Sequence, residues 1–87
     1  MAYTVTFKAS ALKQAEKLPK DLARRVLDAA SALASNPRPH GCTKLAGSSG
    51  FWRIRVGDYR IVYLIDDANR GVDVRIIANR REVYRGM

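Results

Sequence analysis

Cysteine and histidine are almost absent from this sequence, which contains one of each, Cys42 and His40, in 87 residues. A single thiol cannot form an internal disulfide, and one cysteine with one histidine makes no Cys/His cluster of the kind that holds zinc. A lone thiol is typical of proteins in a reducing compartment, so we expect a cytoplasmic protein. The sequence therefore predicts neither a disulfide-stabilised secreted domain nor a bound metal or other cofactor.

Long hydrophobic runs are also missing. No apolar stretch approaches the roughly 20 residues of a membrane-spanning helix, and the N-terminus, MAYTVTF, lacks the pattern of a signal peptide. A chain of this length buries only about 60–65% of its unfolded surface, enough for one modest core. We therefore expect one domain over residues 1–87, without a membrane partner. An enzyme with separate cofactor and substrate domains is excluded.

Acidic residues are few: eight Asp and Glu stand against sixteen Lys and Arg, which gives a formal net charge of +8. Because hydrophobic residues make up 47% of the chain, its composition is not that of a disordered protein. The excess of cations indicates a polyanionic partner: nucleic acid, an anionic membrane or an acidic protein. Eleven of the cations are arginine, whose planar guanidinium matches phosphate oxygens, so nucleic acid is favoured.

The first half of the chain is predicted to form one strand and two helices. Tyr3–Lys8 alternates apolar with polar residues, as a half-buried strand does. Ser10 is placed to cap the first helix. Pro19 interrupts that helix and opens the second one, which ends at Asn36-Pro37.

The second half is predicted to form a long irregular loop over residues 36–50 and then a three-stranded meander. The predicted strands are Phe51–Val56, Tyr59–Ile65 and Val72–Ala78, with Gly57-Asp58 as a tight hairpin turn. This order, β-α-α-β-β-β, predicts an α+β fold. Two N-terminal helices would pack on a small, antiparallel-dominated sheet of about four strands.

The most informative pattern lies in the strand Phe51–Val56. Alternate residues from Trp52 point to one face, expected to be the core, so Arg53 and Arg55 point together to the other face, about 7 Å apart. The hairpin turn brings Arg60 near them. Because directly opposed like charges destabilise a sheet, this group requires either a bound anion or a twist that separates the charges. It is therefore interpreted either as solvated polar side chains or as an anion site.

The C-terminal segment NRREVYR, residues 79–85, is a second basic cluster. A basic terminus is most often a solvated tail. This one directly follows a predicted sheet strand, and Tyr84 places an aromatic ring among guanidinium groups. Such a combination can stack an unpaired RNA base beside its phosphate.

Side chains with conventional acid–base or nucleophilic chemistry are scarce. His40 could act as a base near neutral pH, but a single loop histidine is most often polar surface. Cys42 has no nucleophile signature around it and is interpreted as an inert thiol. Asp66 and Asp67 are interpreted as turn residues. The segment GSSG at 47–50 is not followed by Lys-Ser or Lys-Thr, so it is no phosphate-binding loop.

Three stretches of the sequence form a recognisable set: NPRP at 36–39 with KLAG at 44–47, WRIRVGDYRIVY at 52–63, and RREVYR at 80–85. Together they resemble the RelE branch of the RelE/ParE toxin superfamily over essentially the whole chain. The motifs at 52–63 and 80–85 together make this resemblance specific. It implies a compact sheet flanked by two helices, and a toxin that is neutralised by a small acidic RelB-like antitoxin.

The resemblance also implies an activity, which is ribosome-dependent endonucleolytic cleavage of mRNA, and a toxin–antitoxin complex that can bind operator DNA. The family's catalytic residues match Arg53 and Arg55 in the strand, Arg60 after the hairpin, Arg80 after the last strand, and the C-terminal Tyr84. A second predicted set, for RNA binding, comprises Lys44, Arg81 and Arg85.

This sequence departs from the family pattern in two places. The best-known members have lysines where Arg53 and Arg55 stand, and many relatives have histidine where Asn79 stands. Arginine does not lose its proton in proteins, so neither strand arginine can be the general base. Tyr84, a water molecule and a ribosomal RNA group are the candidates that the chemistry leaves.

The expected reaction is attack of the RNA's own 2′-hydroxyl on the adjacent phosphate, which leaves a 2′,3′-cyclic phosphate and a 5′-hydroxyl. The protein then has to supply alignment, charge stabilisation and proton transfer. Two alternatives belong to other classes of function. One is a ParE-like gyrase inhibitor without catalysis of its own, and the other is a non-catalytic RNA- or DNA-binding module.

Overall fold

The structure, a computed structural model, describes residues 2–45 and 50–79. Its elements are β1 (Thr4–Phe7), α1 (Ala9–Glu16), α2 (Lys20–Ala32), β2 (Thr43–Lys44), β3 (Phe51–Val56), β4 (Tyr59–Asp66) and β5 (Gly71–Asn79). The predicted α+β class, with two helices packed on a mainly antiparallel sheet, is confirmed.

The sheet has the strand order β1-β5-β4-β3-β2. β1 is parallel to β5, and the other three pairs are antiparallel. The sheet therefore has five strands, and the prediction of about four was too low. The extra strand, β2, lies inside the segment predicted to be an irregular loop. Its two residues are too few to show the alternation by which strands are recognised in a sequence.

The first helix begins earlier than its predicted cap. Lys8 is the N-cap residue of α1 and provides no side-chain cap, so the prediction that Ser10 caps this helix was wrong. The Lys8 N–H donates instead to the Val74 carbonyl at 2.8 Å, which leads the chain from β1 directly into α1. Pro19 precedes α2 as its N-cap, as predicted. Neither helix is long and apolar enough to cross a membrane within the part of the chain that the structure describes.

One hydrophobic core lies between the helices and one face of the sheet. Each large apolar side chain that is fully buried there stabilises the fold by about 1.5–3 kcal/mol. The most buried core residues include Val26, Ala30 and Leu33 from the second helical segment and Ile61, Tyr63, Val74 and Ile77 from β4 and β5. This core holds the central strands rigid, and the same strands carry polar side chains on their other face.

Tyr3, Arg38 and Asp67 form a polar cluster, which we call the Asp67 clasp, at the end of the sheet away from the β3–β4 hairpin. Arg38 donates to both carboxylate oxygens of Asp67, at 3.2 and 2.8 Å, and the Tyr3 hydroxyl donates to Oδ1 at 2.6 Å. The Arg38 guanidinium also lies 5.1 Å from the centroid of the Trp52 ring. The clasp thereby joins the N-terminal strand, the loop after α2 and the β4–β5 turn.

Candidate functional site

Arg53, Arg55 and Arg60 lie together on the face of the sheet that points away from the helices, and we call these three residues the arginine face. Their neighbours Ile54 and Val56 are buried in the core, so the alternation of β3 directs Arg53 and Arg55 outward. Arg55 is paired directly with Arg60, and side chains of directly opposed residues share a face.

The hairpin between β3 and β4 sets the distance between Arg55 and Arg60. Its turn consists of Gly57 and Asp58, and Gly57 has a φ of +59°, a conformation that favours glycine. In a two-residue hairpin the pair next to the turn is hydrogen-bonded. The following pair, Arg55 and Arg60, is then of the non-hydrogen-bonded kind, with Cα atoms about 4.5 Å apart. The strand register therefore places two arginines directly opposite each other.

Arg60 is the most constrained member of the arginine face. Its Nε and Nη1 atoms are screened from solvent and have no hydrogen-bond partner among residues 2–45 and 50–79. On its other side Arg60 is opposite Ala78, whose methyl group cannot accept a hydrogen bond. Each buried donor left unpaired costs about 1–3 kcal/mol, so an anion that accepted these bonds would stabilise this arrangement.

Ion pairs do not neutralise the arginine face within the described part of the chain. The ion pairs there join Arg38 to Asp67 and Arg75 to Asp73, and neither includes Arg53, Arg55 or Arg60. Val62, which is opposite Arg53 on the same face, is fully buried. An apolar neighbour lowers the local dielectric constant, which strengthens the attraction between these cations and a bound anion.

The other predicted site residues are not all found with the arginine face. Lys44 is paired with Trp52, so its side chain lies on the helix side of the sheet, away from Arg53 and Arg55. β5 ends at Asn79, opposite Tyr59 and beside the hairpin. Four predicted residues follow Asn79 in the sequence and lie outside the described residues: Arg80, Arg81, Tyr84 and Arg85.

The remaining titratable side chains have structural environments. Asp66 accepts hydrogen bonds from Asn69, which lower the pKa of its carboxyl group, as expected of a turn residue. Asp67 is more than a turn residue: hydrogen bonds from Arg38 and then from Tyr3 hold its pKa at about 2. Sequence reasoning missed this role because Arg38 and Asp67 are far apart in the chain. Among the described residues, no group of three potential His, Cys, Asp or Glu ligands could hold a metal ion.

Comparison with known proteins gives a consistent set of relatives. The family described as "ParE toxin of type II toxin-antitoxin system, parDE" matches residues 5–84. Toxin RelE of Mycobacterium tuberculosis is 33% identical over 84 residues, which cover 95% of this chain and 87% of that protein. Toxin RelG of the same organism is 31% identical over 86 residues, covering 98% of this chain and 99% of that one.

The fold of a solved relative agrees with these sequence matches. The archaeal RelE–RelB complex from Pyrococcus horikoshii contains a chain that is 28% identical and superposes with a TM-score of 0.80. The match covers 92% of this chain and 97% of that one. The matching family is described by its ParE members, whereas the curated relatives at 33% and 31% identity are RelE and RelG. On these matches, the chain belongs to the RelE/ParE superfamily of type II toxin–antitoxin toxins, as a RelE-like member.

Proposed function

We propose that this protein is a ribosome-dependent mRNA endonuclease that inhibits translation. The observation that carries the proposal is the arginine face, where cations on two rigid strands have no acidic partner among the described residues. The Nε and Nη1 atoms of Arg60 are in addition screened from solvent and have no acceptor among the described residues. A phosphate group supplies several oxygen acceptors and negative charge, and arginine matches its geometry.

In the proposed reaction the substrate supplies the nucleophile. The 2′-oxygen of the RNA forms a bond to the adjacent phosphorus, and the bond from phosphorus to the 5′-oxygen breaks. The 2′-hydroxyl proton passes to a base, and the leaving 5′-oxygen gains a proton. Arg53, Arg55 and Arg60 would stabilise the extra negative charge that develops on the phosphoryl oxygens. DNA lacks the 2′-hydroxyl and would not be cleaved.

Proton transfer is the part of the reaction that the arginine face does not supply. Arg53 and Arg55 would act as charge-stabilising groups, because a guanidinium group does not serve as a base in proteins. Tyr84, a water molecule or a ribosomal RNA group would then accept the proton, and Arg80 would add a fourth guanidinium group. Because the protein's own acid–base groups are weak, we propose that the ribosome holds the mRNA in the geometry of attack.

We also propose an antitoxin partner. The Pyrococcus horikoshii relative was solved as a RelE–RelB complex, and this chain has a net charge of +8. A small acidic antitoxin, partly disordered when free, would fold on this surface and cover part of the site. The assembled pair would bind operator DNA. The RNA-binding residues proposed around the site are Arg81 and Arg85, with Lys44 contacting RNA only from the other face of the sheet.

A gyrase inhibitor is the second candidate function, because the family that matches residues 5–84 is described by its ParE toxins. A protein that acts by binding gyrase does not require a phosphate-binding surface. Arginines without an acidic partner among the described residues therefore favour the nuclease. A non-catalytic nucleic-acid-binding module would use the same cations for affinity alone.

Primer extension on a translated mRNA, in a purified translation system, distinguishes the three functions. Wild-type protein is expected to produce breaks at fixed codon positions, and Arg60→Ala to reduce cleavage by about 100-fold or more. Arg24→Ala is the matched control, because Arg24 is an exposed arginine of α2, which packs on the opposite face of the sheet from the arginine face. DNA damage with intact mRNA would indicate the gyrase inhibitor. Intact mRNA and undamaged DNA would leave the binding module.

A further inference from the structure

A hollow of about 430 Å³ lies beside the arginine face, between the C-terminal end of α2, the loop that follows it and the outer edge of β3. We call its apolar lining residues the floor and its polar lining residues the rim. The floor is formed by Ala29, Ala32, Leu33, Pro39 and Ile54. Asn36, His40 and Arg55 form the rim. The volume lies within the range of about 300–1,000 Å³ that small-molecule sites occupy.

The hollow can be reached directly from the arginine face. Arg55 belongs to the arginine face and also lines the hollow. β2 pairs only with Trp52 and Arg53, so the outer edge of β3 from Ile54 onward has no strand partner in the described ranges. A nucleic-acid chain whose phosphate contacts Arg55 can therefore cross this edge and enter the hollow without displacing a strand.

The loop that forms one wall of the hollow is held in place by buried and bidentate contacts. The Tyr63 hydroxyl donates to the Pro37 carbonyl at 2.8 Å, and the Cys42 N–H donates to the Pro39 carbonyl at 3.0 Å. Between them, Arg38 is held by the Asp67 clasp. A wall fixed in this way loses little conformational entropy when a ligand binds.

The rim offers hydrogen-bonding groups of defined orientation. Asn36 Oδ1 accepts a hydrogen bond from the Arg38 backbone N–H at 3.1 Å, which fixes the side-chain amide and leaves its NH₂ group able to donate. His40 is exposed, and a neutral imidazole carries one donor and one acceptor nitrogen. No acidic side chain is found among the described residues that line the hollow.

We propose that this hollow binds one unpaired RNA base next to the phosphate contacted by the arginine face, and that Asn36 and His40 determine which base is preferred. The proposal depends on RNA being the substrate, as proposed above. A nucleobase has two apolar faces and a polar edge, which match the apolar floor and the polar rim. An apolar peptide side chain would occupy the floor but leave the covered rim groups without partners.

Filling the hollow tests the proposal by direct binding. Ala32 lines the hollow and is exposed, so Ala32→Leu fills the space without changing the core. Ser31→Leu is the matched control, since Ser31 is the exposed neighbour on α2 and is not part of the lining. The probes are 2′-O-methyl hexanucleotides of adenylate, cytidylate and uridylate, which cannot be cleaved, and a hexamer of the same backbone without bases.

We expect wild type and Ser31→Leu to bind at least one of the three hexanucleotides roughly tenfold more tightly than the hexamer without bases. Ala32→Leu is expected to lose this difference and to keep the wild-type affinity for the hexamer without bases. In addition, Asn36→Ala or His40→Ala should change the order in which the three hexanucleotides are bound. Circular dichroism of each variant shows whether it is folded.

Equal binding of all four probes by wild type, or an unchanged preference in Ala32→Leu, would overturn the proposal. An unchanged preference in Ala32→Leu together with loss of the bound antitoxin from the purified complex would assign the hollow to a protein contact instead. The outcome is separable from that of the proposed function. Wild type that cleaves mRNA while Ala32→Leu keeps the wild-type base preference refutes only the base site, whereas base-dependent binding without cleavage refutes only the nuclease.

Discussion

Arginine has opposite environments at the two ends of the sheet. In the Asp67 clasp, Arg38 donates to both oxygens of one carboxylate and lies against the Trp52 ring. In the arginine face, Arg60 is opposite another arginine, and its screened Nε and Nη1 atoms have no hydrogen-bond partner in the described part of the chain. The first arrangement uses the guanidinium to join segments of the protein, and the second leaves the positive charge without a carboxylate partner among the described residues.

From this difference we infer that Arg38 contributes to stability and that Arg60 contributes to binding. A bidentate ion pair with a stacked ring stabilises the folded state, even though the Arg38 and Asp67 side chains are 42% and 57% exposed. An arginine placed opposite a like charge, with donor atoms that make no hydrogen bond, destabilises the folded state. Such a cost is tolerated where function requires the group. Replacing the arginine should therefore lower stability but not activity in the Asp67 clasp, and lower activity but not stability in the arginine face.

The largest effect is expected from Arg60→Met, which removes the charge and keeps an unbranched side chain of similar length. Cleavage of translated mRNA should fall by about 100-fold or more, because one charge-stabilising donor is lost. Thermal stability should stay equal or rise, because the substitution removes one of two opposed like charges and two donor atoms that have no partner among the described residues. Primer extension measures the first quantity and calorimetry measures the second. A clear fall in Tm together with unchanged cleavage would reverse our assignment of Arg60.

Arg38→Met is the matched variant at the other end of the sheet. Here Tm should fall, because the two hydrogen bonds to Asp67 and the contact with Trp52 are lost. Cleavage below the melting range should change by a few-fold at most, since Arg38 is not part of the arginine face. Calorimetry and primer extension on the same preparations test both statements. A loss of cleavage as large as that of Arg60→Met would mean that Arg38 contacts the RNA.

Much of the arginine face could be predicted from the sequence because a strand has a period of two. The alternation from Trp52 assigned Arg53 and Arg55 to one face, and the glycine turn placed Arg60 opposite them. These are local relations over a few residues. They required no knowledge of how distant segments pack.

The clasp and the hollow could not be predicted in this way. Tyr3 and Asp67 are 64 residues apart, and Arg38 and Asp67 are 29 apart, so no periodicity relates them. The sequence indicates only a helix stop at Asn36, although this residue also lines the hollow. The face on which Lys44 lies is set by its pairing with Trp52 in β2, a two-residue strand without a sequence signal, so the sequence could not show that Lys44 and the arginine face lie on different sides of the sheet. Contacts of this kind are set by tertiary packing.

Acid should weaken the clasp but not the arginine face. The pKa of Asp67 is held at about 2 by hydrogen bonds from Arg38 and then Tyr3, below the value of about 3.9 expected in the unfolded chain. A carboxyl pKa that is lower in the folded state stabilises the fold at pH values above the unfolded-state pKa. This contribution is lost as pH falls through the folded-state pKa. The difference in Tm between wild type and Asp67→Asn should therefore shrink between about pH 5 and pH 2.

The same clasp should also weaken in alkali. The hydrogen bond to Asp67 raises the pKa of the Tyr3 hydroxyl. The stability that this bond contributes is therefore present below about pH 10 and is lost as pH rises through the folded-state pKa of Tyr3. Asp28→Asn, an exposed carboxylate of α2, is the control for a general charge effect. If Asp28→Asn and Asp67→Asn followed the same pH curve, the clasp would make no specific contribution.

The smallest expected effect is the stabilisation of the fold by phosphate, which compares the two arginine environments without a ribosome. Inorganic phosphate, compared with chloride at equal ionic strength, should raise the Tm of wild type because it binds the folded arginine face and not the unfolded chain. Arg38→Met should show the same increment as wild type, since its arginine face is intact, and Arg60→Met should show little or none. Chloride at equal ionic strength controls for general screening of the +8 charge. An equal increment in all three proteins would mean that phosphate acts on the net charge alone, and the contrast between Arg38 and Arg60 would then have no counterpart in anion binding.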